Sequence, residues 1–351
     1  MDVIVIGLGG MGTAAAWRLA QRGARVLAFD QFPLGHALGS SHGHSRIIRQ
    51  AYYEHPAYVP LVRRAWEGWN ELDPSLLTPA PCLSLGPPGS PLVEGVRESA
   101  RTHGLEVEDL TAEVVVRRWP AFRLDAGFDA VLERSAGILA VDRCVRAMAD
   151  EARRLGADLR EERVLGWDGG SVRTERGAYR APRLVVAAGP WAKALLPHLP
   201  LTVMRQTAQW FAGEAGIPVF IAEAAGGFFY GLPAHEGRGV KVSQHYGAPE
   251  LPGPEGVERT VTEADETPVR EFLRRHLPGV GARTDGSVCL YTLTPDRHFV
   301  IDRVGEAAVA AGFSGHGFKF APVVGEILAD LALEGGTRWP IGLFAAGRFG
   351  G

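Results

Sequence analysis

Lysine is scarce in this chain of 351 residues. It occurs only at Lys193, Lys241 and Lys319, and arginine supplies the other basic residues. Arginine cannot replace lysine where chemistry needs a compact ammonium with an adjustable pKa, so each lysine is a candidate functional residue. The 37 basic and 40 acidic residues leave a net charge of −3. This balance excludes a strongly basic surface, and we expect no nucleic-acid partner.

Long apolar runs and paired cysteines are also missing. No stretch of the sequence approaches the ~18 apolar residues of a membrane-spanning helix, and the N-terminal segment lacks the basic region of a secretory leader. Cys82, Cys144 and Cys289 are too few for a disulfide framework and fit a reducing compartment. We therefore expect a cytoplasmic protein that has no contact with a membrane.

Glycine is abundant, with 45 residues, and three glycines form a Gly-x-Gly-x-x-Gly turn near the N-terminus. Gly7, Gly9 and Gly12 follow an apolar run that predicts a buried parallel strand, and a second strand ends at Asp30. The first glycine permits the tight turn, the second lets a pyrophosphate approach the backbone, and the third allows close helix packing. Asp30 would accept hydrogen bonds from a ribose diol. In this order the pattern predicts dinucleotide binding rather than a mere Gly-rich turn.

Two features favour FAD over a nicotinamide cofactor. The fingerprint opens the chain without a second copy, and a late apolar run over residues 184–189 ends at Gly189. This run would return the chain to the first sheet after a long insertion. A cofactor domain interrupted by a substrate domain is typical of flavin oxidoreductases.

The predicted fold class is therefore α/β, with two domains, as the chain length also suggests. Residues 1–80, 135–208 and 293–351 are expected to form a discontinuous, Rossmann-like FAD-binding domain. Residues 81–134 and 209–292 are expected to form a substrate-binding and catalytic domain on an antiparallel or mixed β-sheet. Apolar periodicity predicts helices over residues 56–73, 144–155 and 322–333, and strands within 211–246.

Four segments contain the groups that chemistry uses. Residues 39–49 concentrate His, Ser and Arg without apolar periodicity, which fits either a functional loop or a solvated one. Tyr230, Lys241 and His245 would lie on a hairpin, with the lysine and the histidine on one face of a strand. Such a pair is often only an exposed surface pair, but the scarcity of lysine favours function.

The other two segments lie near the C-terminus. Cys289 stands in an apolar, strand-like run, where a lone cysteine is usually a small core residue. Lys319 ends a Gly-rich loop directly before an apolar helix, whose N-terminus would face an electron-rich group. His42 and His44 lack partners at a metal-binding spacing, so we expect no metal site.

Taken together, these segments resemble the monomeric sarcosine oxidase and N-methyltryptophan oxidase family of covalent flavoenzymes. The resemblance covers nearly the whole chain. It is carried by the N-terminal fingerprint, by the Tyr230–Lys241–His245 segment, by the runs GSSHGHSRIIRQAYYE, VCLYTLTPDRHFVID and GFSGHGFKF, and by the closing Phe344-x-x-x-Arg348-Phe349.

The resemblance implies roles for individual residues. Cys289 would bond covalently to the 8α carbon of FAD, Arg49 and Lys319 would hold the substrate carboxylate, and Lys241 would activate dioxygen. Ser45 and Arg46 would lie near the flavin. The other pocket-lining and cofactor-binding residues expected are Tyr230, His245, Tyr291, His316, Ser40, His42, Gly315 and Gly317.

The first motif departs from the family pattern at several positions near the flavin. Ser41 stands where the family often has histidine, His44 replaces an acid, Ser45 replaces threonine, and Gln50 replaces a histidine. Turnover rate and substrate preference are the properties that these departures affect.

The resemblance implies a monomeric, FAD-dependent oxidase of N-methyl or other secondary amino acids. A hydride equivalent would pass from the amine carbon to flavin, the imine would hydrolyse to an amine and an aldehyde, and O2 would be reduced to H2O2. The alternatives are a deaminating oxidase resembling glycine oxidase, a dehydrogenase with a quinone or protein acceptor, and a non-catalytic dinucleotide-binding protein. The sequence leaves the substrate open among sarcosine, N-methyltryptophan, proline and pipecolate.

Overall fold

A computed structural model describes residues 1–213 and 216–350 of the chain. In these residues the α-helices are α1 (Gly10–Gln21), α2 (Val59–Leu72), α3 (Pro91–His103), α4 (Ala112–Arg118), α5 (Val141–Arg154), α6 (Ala192–Leu195), α7 (Glu263–His276) and α8 (Ala321–Leu333). The strands are β1 (Val3–Ile6), β2 (Val26–Asp30), β3 (Arg46–Ile48), β4 (Leu77–Pro79), β5 (Cys82–Gly86), β6 (Val107–Thr111), β7 (Asp129–Glu133), β8 (Gly137–Leu139), β9 (Asp158–Glu161), β10 (Val164–Asp168), β11 (Ser171–Thr174), β12 (Ala178–Arg180), β13 (Leu184–Val186), β14 (Thr202–Phe211), β15 (Val219–Ala224), β16 (Gly227–Leu232), β17 (Val240–His245), β18 (Glu250–Leu251), β19 (Arg283–Leu293), β20 (Val300–Val304) and β21 (Ala307–Ala311).

The first sheet has the strand order β20-β21-β13-β1-β2-β9 in the described part of the chain. β1 pairs in parallel with both β2 and β13, and only the β20–β21 pair is antiparallel. Its central strands are buried on both faces, which explains their continuous apolar sequence. Helices α1, α5 and α8 pack on one face, and the small sheet β10-β11-β12 covers the other. The late run therefore returns to the first sheet, as predicted.

The second sheet is larger and mixed, with the strand order β18-β14-β17-β16-β15-β5-β7-β6 and β19 paired to β14. β5 and β15 are parallel, and the other pairs are antiparallel. β16 and β17 form the hairpin that the glycines between Tyr230 and Lys241 predicted. Every strand of the first sheet falls in the ranges predicted for the cofactor domain. β14 and β19 cross the predicted boundaries, and the division into domains stays a prediction.

The two faces of the second sheet differ in character. One face carries Phe211, Phe229 and Val242, which pack against Phe272 of α7. The side chains on the opposite face alternate with these residues, because successive side chains of a strand point to opposite sides. We call this opposite side the polar face, and its members include Tyr230, Lys241, Ser243, His245, Cys289 and Tyr291. The register thus brings together residues that are far apart in the sequence.

Candidate active site

A long cleft starts at the carboxyl ends of β1 and β2 and reaches the polar face of the second sheet. We call it the cofactor cleft. It is lined by Gly7, Gly9, Gly10, Asp30, Ser40, Ser41, Arg46, Trp191, Gly189, Leu290, Tyr291, Thr292, Gly312, Phe313, Gly315, Gly317 and Phe318, among others. Ligands of open α/β sheets bind outside the carboxyl ends of the strands. The cleft is therefore where the fingerprint predicts a dinucleotide.

Three glycines keep the cleft and its supporting turn open. A Cβ at Gly7, whose φ is +94°, would lie 2.4 Å from the Ala187 carbonyl oxygen, and a Cβ at Gly12 would lie 1.7 Å from the Gly7 carbonyl oxygen. At the far end of the cleft, a Cβ at Gly315 would meet the Tyr291 ring at 2.3 Å. No other residue fits these positions without moving backbone or ring.

Asp30 is fixed at the end of β2 by backbone groups. Its Oδ2 accepts from the Leu8 N–H at 2.7 Å, and its Oδ1 accepts from the Phe32 N–H at 3.0 Å. Each carboxylate oxygen has a further lone pair, and Asp30 lines the cleft. The carboxylate is thus held in place with acceptor capacity left for a ribose diol.

Polar groups without protein partners indicate that the cofactor cleft is built for a ligand. Thr292 lines the cleft, and its buried Oγ1 has no hydrogen-bond partner among the described residues. His42 Nε2 also lacks such a partner there, but His42 does not line the cleft. Arg46 also lines the cleft, and its guanidinium donates to the carbonyls of Ser40, His42 and Ser45. Within residues 1–213 and 216–350 it pairs with no carboxylate. With the glycine turn and Asp30, these groups fit an elongated polar cofactor such as FAD.

Lys241 lies fully buried on the polar face. Its Nζ donates to the Ser45 carbonyl at 3.0 Å and lies 5.2 Å from the centre of the Trp210 ring and 5.7 Å from that of Tyr230. Burial, and then the charge of Arg46, lower the pKa of Lys241 well below its usual range. Burial therefore disfavours the ammonium form, and an anionic group beside Nζ would favour it.

Cys289 and Tyr291 are two residues apart on β19 and share the polar face. Cys289 is buried, with 7% of its surface exposed, and lies opposite Gln206 on β14. The Tyr291 hydroxyl is 3.1 Å from His245 Nδ1. Burial lowers the pKa of His245 to about 3, so this imidazole is neutral near pH 7.

Arg49 is buried beside a carboxylate that the sequence analysis did not single out. Its Nη2 donates to Glu54 Oε2 at 2.8 Å, and its Nη1 donates to the Ala51 carbonyl at 2.9 Å. Burial alone would raise the pKa of Glu54, but the charge of Arg49 and its hydrogen bond, together with Lys319, lower it. Glu54 is thus an anion in the absence of substrate.

Lys319 approaches Arg49 from the loop before α8. Its Nζ donates to the His316 carbonyl at 2.7 Å and to the Tyr52 hydroxyl at 3.2 Å. The Tyr52 ring contacts both cations, with its centre 4.3 Å from the Arg49 guanidinium carbon and 5.1 Å from Lys319 Nζ. Burial, and then the charge of Arg49, lower the pKa of Lys319 to about 7. We call Arg49, Tyr52, Glu54, His316 and Lys319 the carboxylate cluster.

His316 is a neutral hydrogen-bonding group in this cluster. Its Nε2 is 3.1 Å from the Arg297 carbonyl, and its Nδ1 is 2.7 Å from the Tyr52 hydroxyl. Because a carbonyl only accepts, Nε2 carries the proton and Nδ1 accepts from Tyr52. Burial lowers the pKa of His316 to about 4.

The structure gathers the predicted residues at one site, although their roles stay predictions. The cleft, the polar face and the carboxylate cluster contain nearly all of them, and Ser40 also donates through its hydroxyl to the Leu290 carbonyl. Sequence reasoning missed Tyr52 and Glu54, although both stand in the polar segment after Arg49. The available signal was an acidic residue, Glu54, five residues after Arg49, close enough in the sequence to form an ion pair with it. In residues 1–213 and 216–350 no His, Cys, Asp or Glu group has the arrangement of a metal site.

Comparison with known proteins identifies relatives along nearly the whole chain. Residues 2–331 match the family of FAD dependent oxidoreductases. Monomeric sarcosine oxidase of Streptomyces avermitilis is 42% identical over 370 residues, which cover 98% of this chain and 96% of that protein. N-methyl-L-tryptophan oxidase of Citrobacter koseri is 35% identical over 371 residues, covering 99% of each chain.

Solved structures agree with the sequence relatives. The structure of NikD, described as an unusual amino acid oxidase essential for nikkomycin biosynthesis, is 27% identical and superposes with a TM-score of 0.86, covering 98% of this chain and 96% of that one. These matches confirm the predicted fold class and the resemblance stated above. The chain belongs to the FAD dependent oxidoreductase family, in the group of monomeric sarcosine oxidase and N-methyl-L-tryptophan oxidase, and it is an FAD-dependent oxidoreductase.

Proposed function

We propose that the protein oxidises N-methyl or other secondary amino acids and passes the electrons to dioxygen. The observation that carries this proposal is the pair of buried basic side chains, Arg49 and Lys319, that both contact Tyr52. The two basic side chains face only one carboxylate of the cluster, Glu54. A second carboxylate would therefore balance the remaining positive charge. An amino acid supplies that group. The relatives, a sarcosine oxidase and an N-methyl-L-tryptophan oxidase, support the choice of a secondary amine.

Arg49 and Lys319 would hold the substrate carboxylate. The planar guanidinium of Arg49 donates in a fork that matches a carboxylate, and Lys319 adds a third donor. In this structure Arg49 Nη2 donates to the Glu54 carboxylate. The substrate carboxylate would displace Glu54 and accept from Nη2 in its place. Clamping one end of the substrate fixes its C–N bond relative to the cofactor cleft, which is an effect of proximity.

The same cations favour the reactive form of the substrate amine. An ammonium has no lone pair, so the amine must lose its proton before a hydride equivalent leaves the neighbouring carbon. Positive charges close to the amine disfavour a further cation there and lower the pKa of the bound amine. His245 and His316 are neutral near pH 7 and therefore do not add to this charge.

The polar face would serve the second half of the reaction. FAD, when bound in the cleft, supplies a hydride acceptor for the substrate and an electron donor for dioxygen. Lys241 Nζ would hold a proton there once negative charge develops beside it, and that fixed charge would stabilise the reduction of oxygen. The Ser45 carbonyl accepts from Nζ and so fixes the position of the side chain.

Cys289 is our candidate for covalent attachment of FAD. It is a buried cysteine on the polar face, and its neighbours Leu290 and Tyr291 line the cleft. The test is to denature the purified protein in acid and to weigh the chain by mass spectrometry. We expect the yellow colour in the pellet and a mass increment of one FAD, with both lost in Cys289→Ser. Colour in the supernatant would contradict the assignment.

One screen tests the activity as a whole. The protein is incubated in air with sarcosine, N-methyltryptophan, proline and pipecolate, and peroxide, formaldehyde and methylamine are measured. We expect peroxide with every accepted substrate and formaldehyde from an N-methyl substrate. Release of methylamine in place of formaldehyde from an N-methyl substrate would indicate the deaminating alternative. Fast dye reduction with little peroxide would indicate a dehydrogenase.

The proposal also covers the oligomeric state of the protein and its location in the cell. We expect a monomer, which gel filtration checks, and a cytoplasmic location, which cell fractionation checks. Among the described residues, no helix is both long and apolar enough to cross a membrane.

A further inference from the structure

Glu133 is a buried carboxylate that plays no part in the chemistry described so far. It ends β7 of the second sheet and is 4% exposed. Its Oε1 accepts from the Gln50 N–H at 2.6 Å, and its Oε2 accepts from the Ala51 N–H at 3.0 Å. Burial raises the pKa of this carboxyl to about 7, while the two N–H donors favour the ionised form. A carboxylate buried at this cost calls for a physical reason.

The two N–H groups that Glu133 binds belong to the residues directly after Arg49. The carbonyl of Ala51 in turn accepts from Arg49 Nη1 at 2.9 Å. Ala51 is thus held on one side by Glu133 and contacts the guanidinium on the other. A shift of this peptide would move the acceptor that fixes one arm of Arg49.

Helix α3 holds the next two residues of the same segment. The Ser99 hydroxyl donates to the Tyr52 carbonyl. A Cβ at Gly95 would lie 2.2 Å from the Tyr53 carbonyl oxygen, so only glycine lets α3 come this close. The segment 49–54 therefore takes its shape from β7 and α3, although it precedes both in the chain.

We propose that Glu133 is a positioning residue for binding of the substrate carboxylate. It fixes the peptide groups of Gln50 and Ala51 and thereby sets the direction of the Arg49 guanidinium. The inference rests on the proposed role of Arg49. It adds that the second sheet, through one carboxylate, determines the geometry of the carboxylate cluster.

The test compares Glu133→Gln with a matched control, Asp302→Asn. Asp302 also accepts two backbone N–H groups, from Arg303 and Ala346, but it lies on β20, outside the segment that carries Arg49. The probe is methoxyacetate, which has the shape of N-methylglycine but no amine. Its dissociation constant is measured by calorimetry on the flavin-loaded protein, together with kcat and KM for N-methylglycine.

We expect Glu133→Gln to weaken methoxyacetate binding about tenfold. The substitution replaces one acceptor oxygen by an NH2 group, which cannot accept from the backbone N–H that faces it. KM should rise in parallel, kcat should change less, and the flavin content and Tm should stay close to those of the parent protein. Asp302→Asn should leave the dissociation constant unchanged. If Glu133→Gln proves too unstable, Glu133→Asp, which keeps the charge but shortens the reach, should weaken binding in the same way.

Two results would overturn the inference. The first is an unchanged dissociation constant in Glu133→Gln. The second is a parallel loss of Tm, flavin and binding in both Glu133→Gln and Asp302→Asn, which would make Glu133 a general structural support. Arg49→Gln separates this failure from a failure of the proposed function. If Arg49→Gln binds methoxyacetate normally, the role assigned to Arg49 is wrong. If Arg49→Gln binds it weakly while Glu133→Gln binds it normally, only the inference about Glu133 is wrong.

Discussion

The cofactor cleft and the carboxylate cluster are neighbours built in opposite ways. The cleft is formed by backbone turns and keeps polar atoms, such as Thr292 Oγ1, without a partner in the described chain. In the cluster, by contrast, Arg49, Tyr52 and Lys319 already bond to other groups of the protein. The cleft is therefore open for its ligand, whereas the cluster must exchange partners to receive one. Binding in the cleft should depend on shape, and binding in the cluster on charge.

The largest effect is expected where the shape of the cleft is changed. Gly12→Ala should abolish FAD binding and cost about 3 kcal/mol or more in folding stability, since its Cβ would lie 1.7 Å from the Gly7 carbonyl oxygen. Flavin absorbance and Tm check this result. Gly177→Ala is the matched control, because a Cβ there has no atom within 4 Å, and it should bind FAD normally. Normal flavin content in Gly12→Ala would contradict the assigned cleft.

The next effect is expected in the carboxylate cluster. Arg49→Ala should keep its flavin and lose about 2–5 kcal/mol in kcat/KM, because it leaves both Glu54 and the substrate carboxylate without their partner. Steady-state kinetics with N-methylglycine and the flavin spectrum test this expectation. A variant with its flavin and nearly normal kcat/KM would show that the carboxylate binds elsewhere.

The same contrast explains what the sequence predicts well. The first sheet, the fingerprint and the helix at α8 follow from local rules: apolar runs, glycines at fixed spacing and helical periodicity. The helix predicted over residues 144–155 is found at Val141–Arg154, so only its ends differ. The cleft is built from such local features and was therefore predictable from them.

The carboxylate cluster was predictable only in part. The roles of Arg49 and Lys319 came from the family resemblance, whereas Tyr52, Glu54 and Glu133 were missed. Their roles depend on contacts between elements far apart in the chain, such as the 2.7 Å contact of Tyr52 with His316. No periodicity in one segment encodes such a contact. The register between distant strands, such as β14 and β19, is likewise not encoded by the pattern of either strand alone.

Lys241 lies on the polar face, outside the carboxylate cluster, and its substitution should affect only one half-reaction. Lys241→Met keeps the approximate volume and removes the charge, so reoxidation by oxygen should slow by about 3–4 kcal/mol in activation free energy. Anaerobic reduction by substrate should slow much less. Stopped-flow measurement of both half-reactions decides the question. If reduction slows and reoxidation does not, Lys241 belongs with the substrate residues.

Lys319 should make anion binding depend on pH. Its pKa of about 7 in the free protein rises when a carboxylate binds beside it, so binding takes up a proton between the two pKa values. Affinity for methoxyacetate should therefore fall as the pH rises above about 7, by up to about tenfold per unit. Calorimetry in buffers of different ionisation heat measures the uptake. Lys319→Met should show none; unchanged uptake in that variant would identify another group.

Glu54 gives the smallest expected effect and the sharpest test of partner exchange. Glu54→Gln removes the anion that occupies Arg49 Nη2 while keeping its size. If the substrate must displace Glu54, the variant should bind methoxyacetate roughly fivefold to tenfold more tightly, since a neutral amide is a weaker competitor for a charged donor. The measurement needs a pH series from pH 5 to pH 7, because loss of the Glu54 charge also lowers the pKa of Lys319. The free variant should also be less stable, because Arg49 remains buried without its counter-charge. Weaker binding would instead show that Glu54 orients Arg49 for the substrate, and that the cluster is as preformed as the cleft.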